Sequence, residues 1–202
     1  MFLPEPIIID DFLPRKYADE IEKQCLDSRF TWSFNPSIEI DGQESDQVGF
    51  SHVAMVYPNS DQQPYIERDL TALFYPLTYL IEDKSGIEFN AMIRVRVGLF
   101  TKEPSSPEHH KPHVDYRFEH NVALYYVNDS DGPTHIFEER IAPEPFENFA
   151  DGIRATPPDS YTLQTTIEPK KNRLVIFDGL QYHASSSPKE HKYRIAVNMN
   201  FI

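Results

Sequence analysis

The chain has 202 residues, 19 Lys and Arg against 32 Asp and Glu, a net charge of -13, and 40% hydrophobic residues that include 14 Phe, 11 Tyr and a single Trp. That apolar and aromatic content suffices for one sizeable core, which excludes a disordered acidic tail, and an acidic balance with no basic stripe argues against a binder of phosphate backbones. One cysteine, Cys25, excludes an internal disulfide and a multi-cysteine zinc site.

The opening MFLPEPIIIDDFLPR lacks a basic stretch followed by an apolar one, so it does not read as a secretory leader. No apolar run approaches the ~18 residues of a membrane span, so the expectation is a soluble, cytoplasmic protein. Pro6 to Phe12 is a β-branched run that reads as a strand. From Pro14 to Asp27, Tyr17, Ala18, Ile21 and Cys25 recur at helical spacing, with Pro14 suited to the first turn. Residues 29–60 lack a clear period and read as strands and loops. A second helical stretch covers 63–84, divided or kinked at Pro76 and stopped at Gly86.

Beyond Gly86 the pattern turns to strands. Between Phe89 and Phe100, Ile93, Val95, Val97 and Leu99 alternate with Arg94, Arg96, Gly98 and Phe100. Further strands are predicted over Val122–Asn128, Thr134–Phe137, Tyr161–Ile167, Arg173–Phe177 and Tyr193–Phe201, and 138–160 is expected to be a functional or mobile loop. The 17 prolines against 7 glycines fit short elements joined by stiff turns. The expected class is α+β and β-dominated, an antiparallel sandwich or barrel braced by helices. It forms one domain over 1–202, with a strand and supporting helices over 1–86 and the core over 87–202.

His113 and Asp115 stand at i and i+2, which on a strand aims both side chains to one face. They can supply two ligands of a divalent metal, or form a hydrogen-bonded surface pair; a third ligand must come from elsewhere. The run Arg173-Leu-Val-Ile-Phe-Asp-Gly-Leu-Gln-Tyr-His183 carries an apolar strand into a turn that presents a histidine. Arg194 then opens Tyr193-Arg-Ile-Ala-Val-Asn-Met-Asn-Phe201, where a guanidinium fork suits a carboxylate. A surface salt bridge for Arg194 and a satisfied loop histidine for His183 are the plainer readings.

His113-x-Asp115, the distal His183 and the downstream Arg194, in that order, resemble the Fe(II)- and 2-oxoglutarate-dependent dioxygenases, in particular the prolyl-4-hydroxylase-like branch. Leu124-Tyr-Tyr-Val-Asn128, Arg173-Leu-Val-Ile-Phe177 and the opening Ile7-Ile-Ile-Asp-Asp-Phe-Leu13 are similar too. The resemblance implies a double-stranded β-helix, or jelly-roll, with His113, Asp115 and His183 as iron ligands. It implies Arg194 as partner of the 2-oxoglutarate C5 carboxylate, helped by Tyr126, a choice over Tyr125 made on distance from His-x-Asp. The implied activity is O2-dependent hydroxylation of a C–H bond in a peptidyl proline, another protein residue or a small metabolite, with succinate and CO2 as co-products. Where the family often has Gly-Gly-Glu-Thr, this chain reads Asp131-Gly-Pro-Thr-His-Ile136, and His110 stands where relatives often place a tyrosine.

Alternation puts Arg194, Ala196, Asn198 and Asn200 on one face, so Asn198 and Asn200 would share the pocket with Arg194. Arg96 or Arg94 could meet an anionic substrate group, although solvent exposure on an edge strand is the commoner outcome for such residues. His135 is at best a pocket-lining side chain, and His191 is expected in a solvated turn. Alternatives of other classes are an inactive jelly-roll binding module, a cupin-type metalloenzyme, which usually gathers its ligands in one short motif, and a nucleic-acid demethylase, which the charge disfavours.

Overall fold

The computed structural model describes residues 3–37, 47–57, 65–145 and 158–202. In chain order the elements are β1 (Ile7–Ile9), α1 (Arg15–Leu26), β2 (Ser33–Asn35), β3 (Gly49–Val56), β4 (Tyr65–Ile66), α2 (Arg68–Phe74), α3 (Pro76–Ser85) and β5 (Met92–Thr101). They continue with β6 (Asn121–Tyr126), β7 (Thr134–Arg140), β8 (Leu163–Ile167), β9 (Arg173–Asp178), β10 (Gln181–Ser185) and β11 (Tyr193–Phe201).

The helices follow from local chemistry. Pro14 sits one residue before α1 rather than in its first turn, and its carbonyl accepts the N–H groups of Tyr17 and Ala18 at 2.8 and 3.1 Å. Pro76 occupies the first turn of α3, where its missing N–H costs nothing, so the predicted long helix becomes two. Gly86 ends α3 at φ 72°, a left-handed conformation that a side chain would resist.

Two antiparallel sheets face one another. The larger runs β1-β9-β6-β11-β5-β3-β2 with β4 paired to β3; the smaller runs β10-β7-β8. From β5 onward the chain wraps back and forth between them, which makes the fold a jelly-roll. The first 86 residues thus contribute four strands to the larger sheet as well as the three helices. The predicted strands are present with shifted ends. β2, β3 and β4 lie where no period was legible, and β10 is a strand where a turn was expected. Of the predicted 138–160 loop, residues 138–140 belong to β7, and 146–157 lie outside the described residues.

Alternation decides which side chains reach which core. Ile195, Val197 and Met199 of β11, Ala123 and Tyr125 of β6, Leu174 and Ile176 of β9 and Val95 and Val97 of β5 face the helices, joining Phe12, Ile21, Phe74, Leu77 and Ile81. Val122, Leu124, Tyr126, Val175, Phe177 and Ala196 point the other way and meet Ile136 and Ile167 of the smaller sheet. Because both faces of the larger sheet are covered, β6 is buried at every residue. Asn172 fastens the N-terminal segment to this sheet. In a left-handed conformation at φ 66°, its amide donates to the Leu13 carbonyl at 2.9 Å and accepts the Leu13 N–H at 2.8 Å.

Candidate active site

The site forms between the sheets, where β10 meets the segment before β6. Asp178, at the end of β9, accepts the Leu180 N–H at 2.9 Å and turns the chain into β10. There His183 exchanges both backbone hydrogen bonds with His113, each 2.9 Å. His113 therefore lies in an isolated bridge rather than in the strand that the sequence suggests. The pairing still brings the two imidazoles together, ring centroids 4.6 Å apart and planes tilted by 49°. Asp115, two residues on, points to the same place. Its carboxylate oxygens are 3.9 Å from His113 Nε2 and 4.0 Å from His183 Nε2.

The histidines are oriented from behind. The ring Nδ1–H of His183 donates to the Gln181 carbonyl at 3.1 Å, and that of His113 to the Lys111 carbonyl at 3.3 Å. Each Nε2 lone pair is thereby turned inward, and His183 Nε2 is buried with no hydrogen-bond partner. Burial, with the neighbouring His183, pushes His113 down to about 4; burial also lowers His183, so both rings are neutral near pH 7. For Asp115 burial opposes ionisation, but Arg94, the two histidines and the Asn200 amide outweigh it and hold the carboxyl well below the usual carboxylate range.

Around Asp115 the packing is polar, and both carboxylate oxygens are engaged. Arg94 Nη2 lies 2.7 Å from Oδ1, while the amides of Asn198 and Asn200 donate to Oδ2 at 3.0 and 2.8 Å. These donors face Asp115 because β5 pairs with β11 in the register Arg94↔Asn200 and Arg96↔Asn198. Solvent exposure of the β5 arginines is overturned. β5 lies between β11 and β3 rather than at an edge, so Arg94 is enclosed and Arg96 lines the cavity.

A second cation closes the far side of that cavity. Arg194, 3% exposed, donates from Nε to the Gly132 carbonyl at 2.7 Å and from Nη2 to Thr134 Oγ1 at 2.8 Å. Tyr126 donates to the same Thr134 hydroxyl at 2.7 Å, and its ring lies under the guanidinium, 5.4 Å from the centroid. Tyr125 points to the helix-backed core instead. A side chain at Gly132 would stand 2.5 Å from the Ser186 carbonyl and 3.1 Å from Arg194 Cδ, so glycine is required for this approach. Asp131 accepts the N–H groups of Lys189, Glu190 and His191 at 3.1, 2.8 and 2.9 Å, fixing the turn that leads into Arg194.

The cavity is lined by His113, Asp115, His183, Arg194, Arg96 and Asn198, with Val122, Leu124, Phe177 and Ala196 as apolar wall. Two expected lining residues stand elsewhere. Asn200 lies behind Asp115, fully buried. His135 faces away, because Thr134 and Ile136 take the inward positions of β7; its Nδ1 meets Thr166 Oγ1 at 3.2 Å and its ring packs on His109. His191 is half-exposed and bound to Asp131, as a solvated turn implies. Sequence reasoning missed Thr134, although it closes the Asp131-Gly-Pro-Thr phrase, and it missed the Arg94–Asp115 pair, which needs the β5–β11 register.

No protein-family model and no curated protein sequence matches the chain. Solved structures do. The epimerase SnoN from nogalamycin biosynthesis, in complex with Fe3+, alpha ketoglutarate and nogalamycin RO, superposes with a TM-score of 0.65 at 13% identity over 98% of this chain and 78% of that one. A 2OG-Fe(II) oxygenase family oxidoreductase from Burkholderia pseudomallei gives 0.65 at 10% identity over 97% and 84%. A prolyl-4-hydroxylase from Pseudomonas putida gives 0.52 at 16% identity over 97% and 91%. At these identities the likeness establishes the fold: the chain folds as 2OG-Fe(II) oxygenases do, prolyl-4-hydroxylases among them.

Proposed function

We propose that the protein is an Fe(II)- and 2-oxoglutarate-dependent oxygenase that hydroxylates a C–H bond of a protein residue or a small metabolite. The observation that carries this reading is the orphaned, buried Nε2 of His183, aimed at Asp115 and His113 in a cavity whose other end is closed by the buried Arg194. Two neutral imidazoles and one carboxylate at these spacings suit a single ion bound at about 2.0–2.2 Å from each donor, and that set with open positions is the pattern of non-haem iron oxygenases.

When bound, iron and 2-oxoglutarate would supply the oxidising power, with O2 as oxidant and succinate and CO2 as co-products. The chain's own work is placement. His113, Asp115 and His183 would hold the metal, with backbone carbonyls behind both rings to keep them from turning. Asn198 and Asn200 fix one oxygen of Asp115. Arg194 would take the C5 carboxylate of 2-oxoglutarate, its fork aimed by Gly132, Thr134 and Tyr126. Val122, Leu124, Phe177 and Ala196 keep water from the space between the metal ligands and Arg194, where a low dielectric strengthens each charge contact.

The test is an anaerobic titration of metal-free protein with Fe(II) and 2-oxoglutarate, watching for the visible charge-transfer band of the chelate. A saturable band, lost in His183→Ala and in Asp115→Ala, is expected. Folded, iron-loaded protein that develops no band overturns the assignment.

A further inference from the structure

Arg96 is an arginine of the cavity that the proposed reaction leaves without work. It stands two residues from Arg94 on the same face of β5, opposite Asn198 of β11 and Val53 of β3. Among the described residues its guanidinium has no hydrogen bond or ion pair, whereas Arg94 is held by Asp115 and Arg194 by Gly132 and Thr134. Burial lowers the proton affinity of Arg96 and the charge of Arg94 lowers it further, while the Asp115 carboxylate works the other way without reversing the shift. A cation kept in a cleft beside another cation is costly unless an anion arrives. Asp115 offsets this only from a distance, since both its oxygens are engaged by Arg94, Asn198 and Asn200 and it is a proposed metal ligand. The next residue on this face, Gly98, leaves room: a side-chain carbon there would meet nothing nearer than the Ala196 carbonyl at 4.0 Å. Phe50 and Phe100 supply apolar wall nearby.

Resting on the oxygenase reading, we propose that the substrate is a small carboxylic acid whose carboxylate is gripped by Arg96, setting its carbon skeleton beside His113, Asp115 and His183. The planar fork matches a carboxylate by two parallel hydrogen bonds. With a chain net charge of -13, an acidic protein or peptide is repelled at long range, while a small anion responds to the local arginines.

The experiment uses the full chain saturated with Zn(II) and 2-oxoglutarate, so that the metal and Arg194 are already occupied. Acetate, inorganic phosphate, acetamide and a glutamate-bearing heptapeptide are titrated at ionic strength held constant with sodium chloride. Calorimetry and melting temperature are the readouts. Acetate is expected to bind saturably and raise the melting temperature, and acetamide to do neither. Arg96→Gln should weaken acetate at least tenfold while leaving 2-oxoglutarate affinity within twofold, and Arg96→Lys should restore part of the acetate binding in a chain of wild-type secondary structure. The proposal is overturned if acetate does not bind, if its binding survives Arg96→Gln, or if that variant loses 2-oxoglutarate tenfold, which would place Arg96 in the co-substrate site. It is equally overturned if phosphate or the heptapeptide binds more tightly than acetate. Failure of the oxygenase reading looks different: 2-oxoglutarate itself does not bind beside Zn(II), and the difference in acetate binding between the bare wild-type chain and bare Arg96→Gln then reports on Arg96.

Discussion

The two faces of β11 differ more than any two regions of the molecule. Toward the helices it presents Ile195, Val197 and Met199, each fully buried against apolar neighbours. Toward the smaller sheet it presents Ala196 with Arg194, Asn198 and Asn200, of which Arg194 and Asn200 are buried and Asn198 partly so, and these three polar side chains are committed to a carbonyl, a hydroxyl and a carboxylate. One strand therefore carries stability on one side and a cost in stability on the other. Apolar burial gains roughly 25 cal/mol per Å2, whereas a buried charge without a counter-ion weakens the fold.

The largest effect should come from breaking the helix-backed face. Phe201 is fully buried and stacks on Phe89 at 4.3 Å. Phe201→Ala should cost about 3–5 kcal/mol in urea unfolding, and the protein that remains folded should bind 2-oxoglutarate as before. Loss of 2-oxoglutarate binding there would mean that the faces are not independent.

Arg194→Met should do the opposite. Burial disfavours the charged form of Arg194, so the ligand-free variant should melt at or above the wild-type temperature. Calorimetry should meanwhile find 2-oxoglutarate weakened about 100-fold, the value of losing a charge-assisted pair worth about 2.7 kcal/mol. A variant that melts well below wild type would assign Arg194 to the stability side.

A third prediction concerns His110, wedged between the Ser185 and Ser187 hydroxyls at 3.0 and 3.1 Å. Burial, reinforced by Arg194, His113 and His109, pushes it down to about 3. The unfolded chain, with an ordinary imidazole near 6.5, takes up a proton that the folded chain refuses. Its contribution is thus complete above pH ~6.5 and is lost as pH falls toward 3, at up to about 1.4 kcal/mol per pH unit. Melting temperatures of His110→Gln should fall less steeply than wild type between pH 6.5 and 4.5.

The smallest effect calibrates the others. Lys102 and Glu190, 3.5 Å apart, are exposed on the surface, and Lys102→Ala should change urea stability by less than about 0.5 kcal/mol.

The contrast between the faces also explains what was legible in the sequence. Alternation in β5 and β11 is strict, so both the apolar set and Arg194, Asn198 and Asn200 can be read directly. Pro76 and Gly86 act through their own backbone chemistry and need no partner to be recognised. β2 and β4 are too short, at 3 and 2 residues, to show a period. β10 is masked because Gln181-Tyr-His-Ala-Ser mixes polar and apolar residues that are all enclosed or nearly so. The resemblance allows His135 at best a pocket-lining place, but the parity of β7 decides otherwise, with Thr134 and Ile136 on either side taking the inward positions. The ion pair of Arg94 with Asp115 depends on where distant strands come into register, which no local pattern encodes.

The placement of β11 has a consequence for how the chain assembles. It follows every other described strand in the sequence, yet it lies inside the larger sheet, bonded to β5 on one edge and β6 on the other. During synthesis those edges stay open until residues 193–201 emerge, so neither the helix-backed core nor the Arg194 end of the cavity can close early. Closing such remote pairings pays loop entropy before it gains contacts. Folding should therefore be slow and late, with β5 and β6 exposed to misassociation until the last strand inserts.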